Sequence, residues 1–268
     1  METKLTTDAL LKHKQRLHHE FNLNGYVSIP GFFNADELAE IKENKARFIQ
    51  DVVPTMPDTQ VYYEDPSDKS TLKQLQNMWQ HDAFFGSMMD EQSKLRTLSD
   101  ICLGEASRPV NMQYFNKHAG GGQATPPHQD GYFFHLTPNH AITIWFALED
   151  VEPEQGCVNY VQGSHKFGMR AHGSSGVLGF SQTILDFGIP YDRENTMSFP
   201  CKAGHLIAHH SLTTHWADGN TSKTKSRQAM GAIYYAASTQ ENVASKKAYQ
   251  AALDAQLTAA GKLTAAAT

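Results

Sequence analysis

Residues 204–227 read GHLIAHHSLTTHWADGNTSKTKSR, and they combine a short apolar strand pattern with four histidines and a closing arginine. The apolar part, Leu206–His209, has the length and composition of a buried strand. Similar short runs rich in Val, Ile, Tyr and Phe lie at Val110–Phe115, Ala141–Leu148, Cys157–Val161 and Ala229–Ala237. No long helical pattern separates these runs, so the sequence predicts an antiparallel sandwich or barrel and not a doubly wound parallel sheet.

The chain before residue 105 has a helical pattern instead. Apolar residues recur at helical spacing from Asp8 to Phe21, and the run Gly25–Pro30 predicts a short strand. Asn34, with Glu37 three residues later, has the pattern of a capping box, and the helix that it begins is predicted to end near Val52.

Three further segments complete the prediction for the whole chain. Residues 54–70 are predicted as an irregular excursion, 89–103 as a helix, and Gly173–Gly179 as a connector. After residue 238 the Ala-rich stretch Ala244–Leu263 predicts a C-terminal helix. We therefore expect one domain over residues 1–268, mainly β with flanking α. Its helical part is expected at about 1–104, its β core at about 105–238 and its tail at about 239–268.

Composition excludes several classes of protein. The 268 residues are 40% hydrophobic and carry 23 Lys+Arg against 28 Asp+Glu, a net charge of −5. This indicates a folded chain and disfavours a nucleic-acid-binding protein, which would show a basic stripe. No apolar run approaches the roughly 20 residues of a membrane-spanning helix, and residues 1–20 lack the apolar stretch of a secretion signal. The three widely spaced cysteines favour a reduced, cytoplasmic setting and not a disulfide framework.

Histidines are the unusual feature of the composition, since ten of the fourteen lie between residues 118 and 215. In His128-Gln129-Asp130, positions i and i+2 of a strand end face the same side, so an imidazole and a carboxylate converge. His215 or His210 could supply a second imidazole, which would leave the other positions of a metal open, as in non-haem Fe(II) enzymes. Arg227, one strand later, suits a distal carboxylate because its planar fork matches two oxygens.

Several further motifs make the resemblance to a known family specific. Residues 145–150 (WFALED), 155–157 (QGC), 163–166 (GSHK) and 25–27 (GYV) occur in order around these histidines. From about residue 20 to 238 the sequence resembles the phytanoyl-CoA dioxygenase family. The resemblance implies a double-stranded β-helix (jelly-roll, cupin-like) core wrapped by N- and C-terminal helices. It also implies a dioxygenase that uses Fe(II), 2-oxoglutarate and O₂.

The same resemblance assigns roles to individual residues. It implies that His128, Asp130 and His215 are iron ligands and that Arg227 pairs with the C5 carboxylate of 2-oxoglutarate. It also implies that the co-substrate pocket is lined by Trp145, Gln129 and Gln113. Family order favours His215 over His210 as the third ligand, which leaves His210 a role beside the metal site and His209 a place in the packing of the sheet.

The sequence departs from the family pattern at two points. Members often have a hydroxyl residue two positions after the last iron ligand, where this chain has Ala217, and the spacing from His215 to Arg227 is about one residue longer. Either departure predicts a shifted co-substrate carboxylate, with Ser222 or Thr143 supplying the hydroxyl.

Residues that could contact the substrate are less distinctive in sequence. Tyr132, Phe133 and His135 directly follow the HxD pair and could shape a pocket, although packing under a loop explains them equally well. Lys117 and Arg170 are expected at the surface, and they would attract an anionic substrate if they faced the opening.

The expected activity is hydroxylation of an unactivated C–H bond in a small polar or anionic metabolite, and an aminoalkylphosphonate is one specific candidate. Acyl-CoA hydroxylation, a zinc-dependent hydrolase or isomerase on a cupin-like barrel, and a non-catalytic binding barrel are the alternatives.

Overall fold

The computed structural model describes residues 4–177 and 180–259. Its helices are α1 Thr7–Lys12, α2 Lys14–Asn24, α3 Ala35–Arg47, α4 Met78–His81, α5 Ala83–Ser87, α6 Lys94–Leu103, α7 Gly131–Phe134, α8 Pro190–Glu194 and α9 Val243–Ala259. The strands are β1 Tyr26–Ile29, β2 Val61–Tyr63, β3 Leu72–Leu75, β4 Ser107–Lys117, β5 Thr125–His128, β6 Leu136–Thr137, β7 Ala141–Ala147, β8 Val158–Val161, β9 His172–Val177, β10 Phe180–Ile184, β11 Thr196–Phe199, β12 Leu206–His210, β13 His215–Ala217, β14 Arg227–Ala236 and β15 Gln240–Glu241.

Two antiparallel sheets form the framework. The larger has seven strands in the order β1-β12-β7-β14-β4-β3-β2, and the smaller has four in the order β11-β8-β13-β5. Strands that are distant in sequence are neighbours in both sheets, and β14 pairs with β4 and with β7. The prediction of a mainly antiparallel β protein with flanking helices is thereby confirmed.

The larger sheet separates the hydrophobic core from the functional cavity. Alternate residues of β7, Ile142, Ile144 and Phe146, pack into a core cluster with Met230 and Tyr234 of β14. Buried residues of α1, α2, α3 and α6 belong to the same cluster. Because successive side chains of a strand point to opposite faces, the residues between these positions face the other way, toward the smaller sheet.

The N-terminal helices follow local sequence signals. Asn34 accepts a hydrogen bond from the Glu37 amide at 2.9 Å, and the Glu37 carboxylate accepts one from the Asn34 amide at 3.1 Å. This is the predicted capping box. The helix continues as a π-helical segment over Phe48–Val52, and Pro54 follows. Its end at Val52 is the predicted one. The predicted helix over Asp8–Phe21 is divided at His13 into α1 and α2.

Two predictions for irregular segments are wrong. Val61–Tyr63, inside the predicted excursion, is β2, the edge strand of the larger sheet, where it pairs with β3. His172–Val177, predicted as a connector, is β9 and pairs with β10. Its sequence HGSSGV lacks apolar alternation, so only strand pairing identifies it. Residues 178–179 of that prediction lie outside the described residues.

The C-terminal helix is present as α9, and residues 260–263 of the predicted helix also lie outside the described residues. None of the helices in the described part of the chain is both long and apolar enough to cross a bilayer.

Candidate metal centre and co-substrate pocket

A cavity of about 350 Å³ is lined by residues of both sheets and by α9. The smaller sheet contributes His128 at the end of β5 and His215 at the start of β13, which are paired directly across the two strands. Asp130 follows two residues after His128. Together these three side chains form a group whose potential ligand atoms all lie within 4.8 Å of one another.

Hydrogen bonds to the main chain orient both imidazoles. His128 Nδ1 lies 2.7 Å from the Pro126 carbonyl oxygen, and His215 Nδ1 lies 3.0 Å from that of Thr213. In each ring Nδ1 therefore carries the hydrogen, and Nε2 is left as the metal-binding atom. The two Nε2 atoms lie 3.4 Å and 3.6 Å from Asp130 Oδ1. Burial also lowers the pKa of His215 well below its usual value, which keeps the ring neutral and able to bind a metal.

The second carboxylate oxygen of Asp130 is held by the larger sheet. The Thr143 hydroxyl donates to Oδ2 at 2.5 Å, and His209 Nε2 lies 3.1 Å from the same atom. Tyr160 Oη is 3.0 Å from His209 Nδ1, so a Tyr160–His209–Asp130 chain of donors fixes the ring tautomer. Burial alone would raise the pKa of Asp130. The surrounding histidines, among them His209 with its hydrogen bond to Oδ2, instead hold the pKa of Asp130 well below its usual range, so the carboxylate is ionised.

The structure corrects the roles of the two consecutive histidines on β12. His209 was expected only to pack into the sheet, yet it lines the cavity and contacts Asp130. His210 faces the opposite side, where its ring lies 5.9 Å from the Phe21 ring, 5.5 Å from the His140 ring and 5.5 Å from the His165 ring. His210 is therefore neither a ligand nor a neighbour of the metal group, because adjacent strand residues point to opposite faces.

Arg227, at the first position of β14, lines the same cavity and is 4% exposed. Its Nε has no hydrogen-bond partner among the described residues, and its guanidinium lies 5.8 Å from the centre of the Trp145 ring. Burial lowers the pKa of Arg227 to about 10, so it remains charged at neutral pH. A buried cation with an unused donor is costly unless an anion joins it, which fits the predicted carboxylate partner.

Trp145 and Gln113 also line the cavity, as predicted. They lie at one level of the sheet, because Gly231 of β14 pairs with Trp145 on one side and with Gln113 on the other. A Cβ on Gly231 would lie 3.0 Å from Phe115. Glycine thus leaves space in the cavity between these two side chains.

The predicted replacements for the missing hydroxyl are not available to the co-substrate. Ala217 does line the cavity, but the Thr143 hydroxyl donates to Asp130, and Ser222 is not among the residues that line the cavity. Ala217 is instead next to Lys117, whose Nζ lies 3.2 Å from the Ala217 carbonyl oxygen.

Lys117 is 6% exposed and not a surface charge as predicted. Its Nζ donates to the carbonyl oxygens of Gln123, Asp218 and Ala217 at 2.7, 2.7 and 3.2 Å. Burial, with Arg227 close by, lowers the pKa of Lys117 to about 6. The side chain therefore ties two loops together at the cavity wall and has no spare donor for an anion.

Two other predicted site residues lie away from the cavity. Gln129 is fully buried, donates to the Gly168 and Leu212 carbonyl oxygens at 2.9 and 2.6 Å, and accepts from the Arg170 amide at 2.8 Å. It sits between two ligands in sequence and so faces the opposite side. The Arg170 guanidinium pairs with Asp192 at 2.8 Å and with Asp186 at 3.0 Å, so it is held by the protein and does not face the opening.

Of the ring-bearing residues that follow the HxD pair, one lines the cavity and two do not. Phe133 lines the cavity, whereas the Tyr132 ring stacks on His172 at 4.5 Å and His135 Nδ1 lies 3.0 Å from the Ser245 hydroxyl. The prediction that Tyr132 and His135 shape the pocket directly is therefore wrong. Both hold α9 or the adjacent hairpin in place.

Sequence reasoning missed the contribution of α9. Lys246, Tyr249 and Gln250 line the cavity, and the Tyr249 ring lies 6.3 Å from the Phe133 ring. The Ala-rich composition of the helix gave no indication of this contact. Lys246 lies three residues before Tyr249 and four before Gln250, so they share one helical face, and this spacing was the available signal.

The chain is similar to several characterised proteins. The Caenorhabditis elegans phytanoyl-CoA dioxygenase domain-containing protein 1 homolog is 23% identical over 256 residues, which cover 80% of this chain and 88% of that protein. The Arabidopsis thaliana phytanoyl-CoA dioxygenase is 38% identical over 127 residues, which cover 46% of this chain and 43% of that one.

Solved structures share the fold. SnoN, an epimerase crystallised with Fe³⁺, α-ketoglutarate and nogalamycin RO, has a TM-score of 0.69 at 22% identity and covers 86% of each chain. EctD from S. alaskensis, with 2-oxoglutarate and 5-hydroxyectoine, has a TM-score of 0.67 at 18% identity and covers 83% of this chain and 76% of that one.

Residues 21–229, more than three quarters of the chain, match the phytanoyl-CoA dioxygenase (PhyH) family. The predicted oxygenase class and the predicted cofactors, iron and 2-oxoglutarate, agree with this match and with the His128–Asp130–His215 group. The chain therefore belongs to the phytanoyl-CoA dioxygenase family of iron- and 2-oxoglutarate-dependent oxygenases.

Proposed function

We propose that this protein is an Fe(II)- and 2-oxoglutarate-dependent dioxygenase that hydroxylates an unactivated C–H bond of a small polar metabolite. The observation that carries the proposal is the position of an unpaired, buried arginine in the same cavity as two imidazoles and a carboxylate. The two sheets with the site between them support a double-stranded β-helix as the core. The aminoalkylphosphonate considered from the sequence is one member of this substrate class to be tested.

His128, Asp130 and His215 would hold the iron, and the donor set fits, because two neutral imidazoles and one carboxylate leave the remaining positions open. Bound iron supplies the activation of O₂, coupled to decarboxylation of 2-oxoglutarate to succinate and CO₂. Asp130 is positioned for this by Thr143 and His209, which occupy Oδ2 and leave Oδ1 toward the two Nε2 atoms. Arg227 would bind the C5 carboxylate of 2-oxoglutarate beside Trp145.

The cavity favours a small substrate over an acyl-CoA. Its volume of about 350 Å³ must also accommodate 2-oxoglutarate, and this is at the lower end of the range for ligand pockets. A zinc hydrolase could use the same three ligands. It has no use for a buried arginine with an unpaired donor, which is the reason for preferring the oxygenase.

The test is spectroscopic and then chemical. Anaerobic addition of Fe(II) and 2-oxoglutarate should give a weak visible charge-transfer band, and subsequent O₂ should yield succinate. Absence of the band, with activity restored by Zn(II), would favour the hydrolase. Absence of both band and turnover, despite tight ligand binding, would favour a non-catalytic binding protein.

A further inference from the structure

One wall of the cavity is built from carboxamide side chains. Besides Gln113, two adjacent strands of the larger sheet, β3 and β4, and the turn after β3 carry four of them: Gln74, Gln76, Asn77 and Asn111. Strand pairing places Gln74 opposite Phe115, and the Asn77 amide donates to Asn111 Oδ1 at 2.7 Å. We call these four residues the amide wall. Neither the metal group nor the proposed 2-oxoglutarate site uses them.

The amide wall contains an acceptor that has no hydrogen-bond partner among the described residues. Gln74 is 2% exposed, and its buried Oε1 has no hydrogen-bond partner among the described residues. Buried polar groups are normally paired, and each unpaired one carries a desolvation cost. Gln74 pairs with Phe115 and shares its cavity face, so its unpaired oxygen calls for a hydrogen-bond donor from a ligand.

The charges around the wall decide which donors are suitable. Arg227 lines the same cavity, and Lys73 is next to Gln74, so a cationic amine would meet like charges. An anion is no better served, because the lysines are already engaged. Lys73 Nζ lies 3.6 Å from Glu64 and 3.2 Å from Gln123 Oε1, and Lys117 is bound to three carbonyl oxygens.

Lys246 on α9 is occupied as well, since its Nζ pairs with Glu241 at 2.5 Å. Among the described residues that line the cavity, Arg227 has a buried donor without a partner, and the proposed 2-oxoglutarate site accounts for it. A phosphonate or carboxylate on the substrate would have to break one of these internal pairs. The remaining recognition chemistry is uncharged hydrogen bonding together with the aromatic surfaces of Phe115, Phe133 and Tyr249.

We propose that the substrate is a neutral molecule bearing several hydroxyl groups, such as a cyclic polyol or a glycoside, with one hydroxyl donating to Gln74 and others pairing with the remaining carboxamides of the amide wall. Carboxamides offer both donors and acceptors, and so do hydroxyls, so the pairing is complementary in both directions. The C–H faces of a ring would lie on the aromatic side chains. This inference rests on the proposed oxygenase function and names the substrate class of the same site.

The experiment compares two matched panels by substrate-stimulated succinate release from the full chain with Fe(II), 2-oxoglutarate and O₂. The neutral panel is methyl glucoside, inositol and ribitol. The ionic panel is 2-aminoethylphosphonate, glycine betaine and an acyl-CoA. We expect stimulation by the neutral panel, with a product heavier by one oxygen in mass spectrometry. Greater stimulation by the ionic panel, or none by either, overturns the proposal. The visible band and the unstimulated release of succinate in the same preparation test the oxygenase function separately.

A variant then tests the wall itself. Gln74→Leu keeps the approximate size and removes the amide, so KM for the best neutral compound should rise about tenfold while kcat changes less. Gln92→Leu, at an exposed glutamine, is the matched control and should leave both parameters unchanged. Thermal unfolding of both variants shows whether they fold. An unchanged KM in folded Gln74→Leu contradicts the proposal.

Discussion

The two faces of the strands at the metal centre differ in what their polar side chains contact. On the cavity face, His128, Asp130 and His209 contact one another through side-chain atoms. On the opposite face, Gln129 and His210 contact backbone groups and core rings. Each face carries a histidine from the adjacent pair His209 and His210. Function therefore follows the face on which a side chain lies and not the residue type alone.

The largest expected difference is between His215 and His210. His215→Ala removes one of three metal donors, so affinity for Fe(II) should fall by more than about 100-fold, beyond the effect of losing an outer hydrogen-bond partner. His210→Ala should leave metal affinity within a few-fold and lower only the free energy of unfolding, because this ring packs on Phe21. Metal titration and thermal unfolding of both variants measure the contrast. A reversed order would move the third ligand to His210.

A second comparison concerns Arg227 and Arg170. Arg227→Ala would remove the two charge-assisted hydrogen bonds proposed to 2-oxoglutarate, worth about 3 kcal/mol together, so KM for 2-oxoglutarate should rise roughly a hundredfold. Arg170 is the counterpart on the other side, where it is already paired with Asp186 and Asp192. Arg170→Lys should leave that KM unchanged. Equal effects in the two variants would show that Arg227 does not bind the co-substrate directly.

A third comparison measures the donors to Asp130. His209→Phe removes the donor at 3.1 Å from Oδ2 and keeps an aromatic ring of similar size. Partners that hold a metal ligand typically contribute 10–100-fold to metal affinity, and we expect a loss of about tenfold. Thr143→Val removes the other donor to the same oxygen and should have a comparable effect. Full affinity in both variants would mean that Asp130 does not need these donors.

Sequence reasoning reached the ligands because their relation is local. The i, i+2 spacing of His128 and Asp130 determines that they share a face wherever the strand lies. His209 and His210 could not be distinguished in this way, since either could face the cavity until the strand register was known. Register is a tertiary property: His209 pairs with Thr143, which places both on the cavity face.

The sequence also did not indicate which polar residues are buried or that a distant helix closes the cavity. A lysine is normally expected at the surface. Lys117 lies in the cavity wall because its Nζ donates to carbonyl groups of two loops. The position of α9 depends on the pairing of β15 with β6, which are about 100 residues apart, and on contacts of Tyr249. No local periodicity encodes such contacts.

The smallest expected effect on function belongs to Gln129, although it lies between two ligands. Gln129→Leu leaves the Gly168 and Leu212 carbonyl oxygens and the Arg170 amide without partners, which should lower the free energy of unfolding by about 2 kcal/mol. Fe(II) affinity should change by less than about twofold, since the leucine would lie on the opposite face from the metal donors. Denaturant unfolding and metal titration measure the two quantities separately. A loss of metal affinity with little loss of stability would show that the two faces are coupled through the backbone of this strand end, and that the division between them is incomplete.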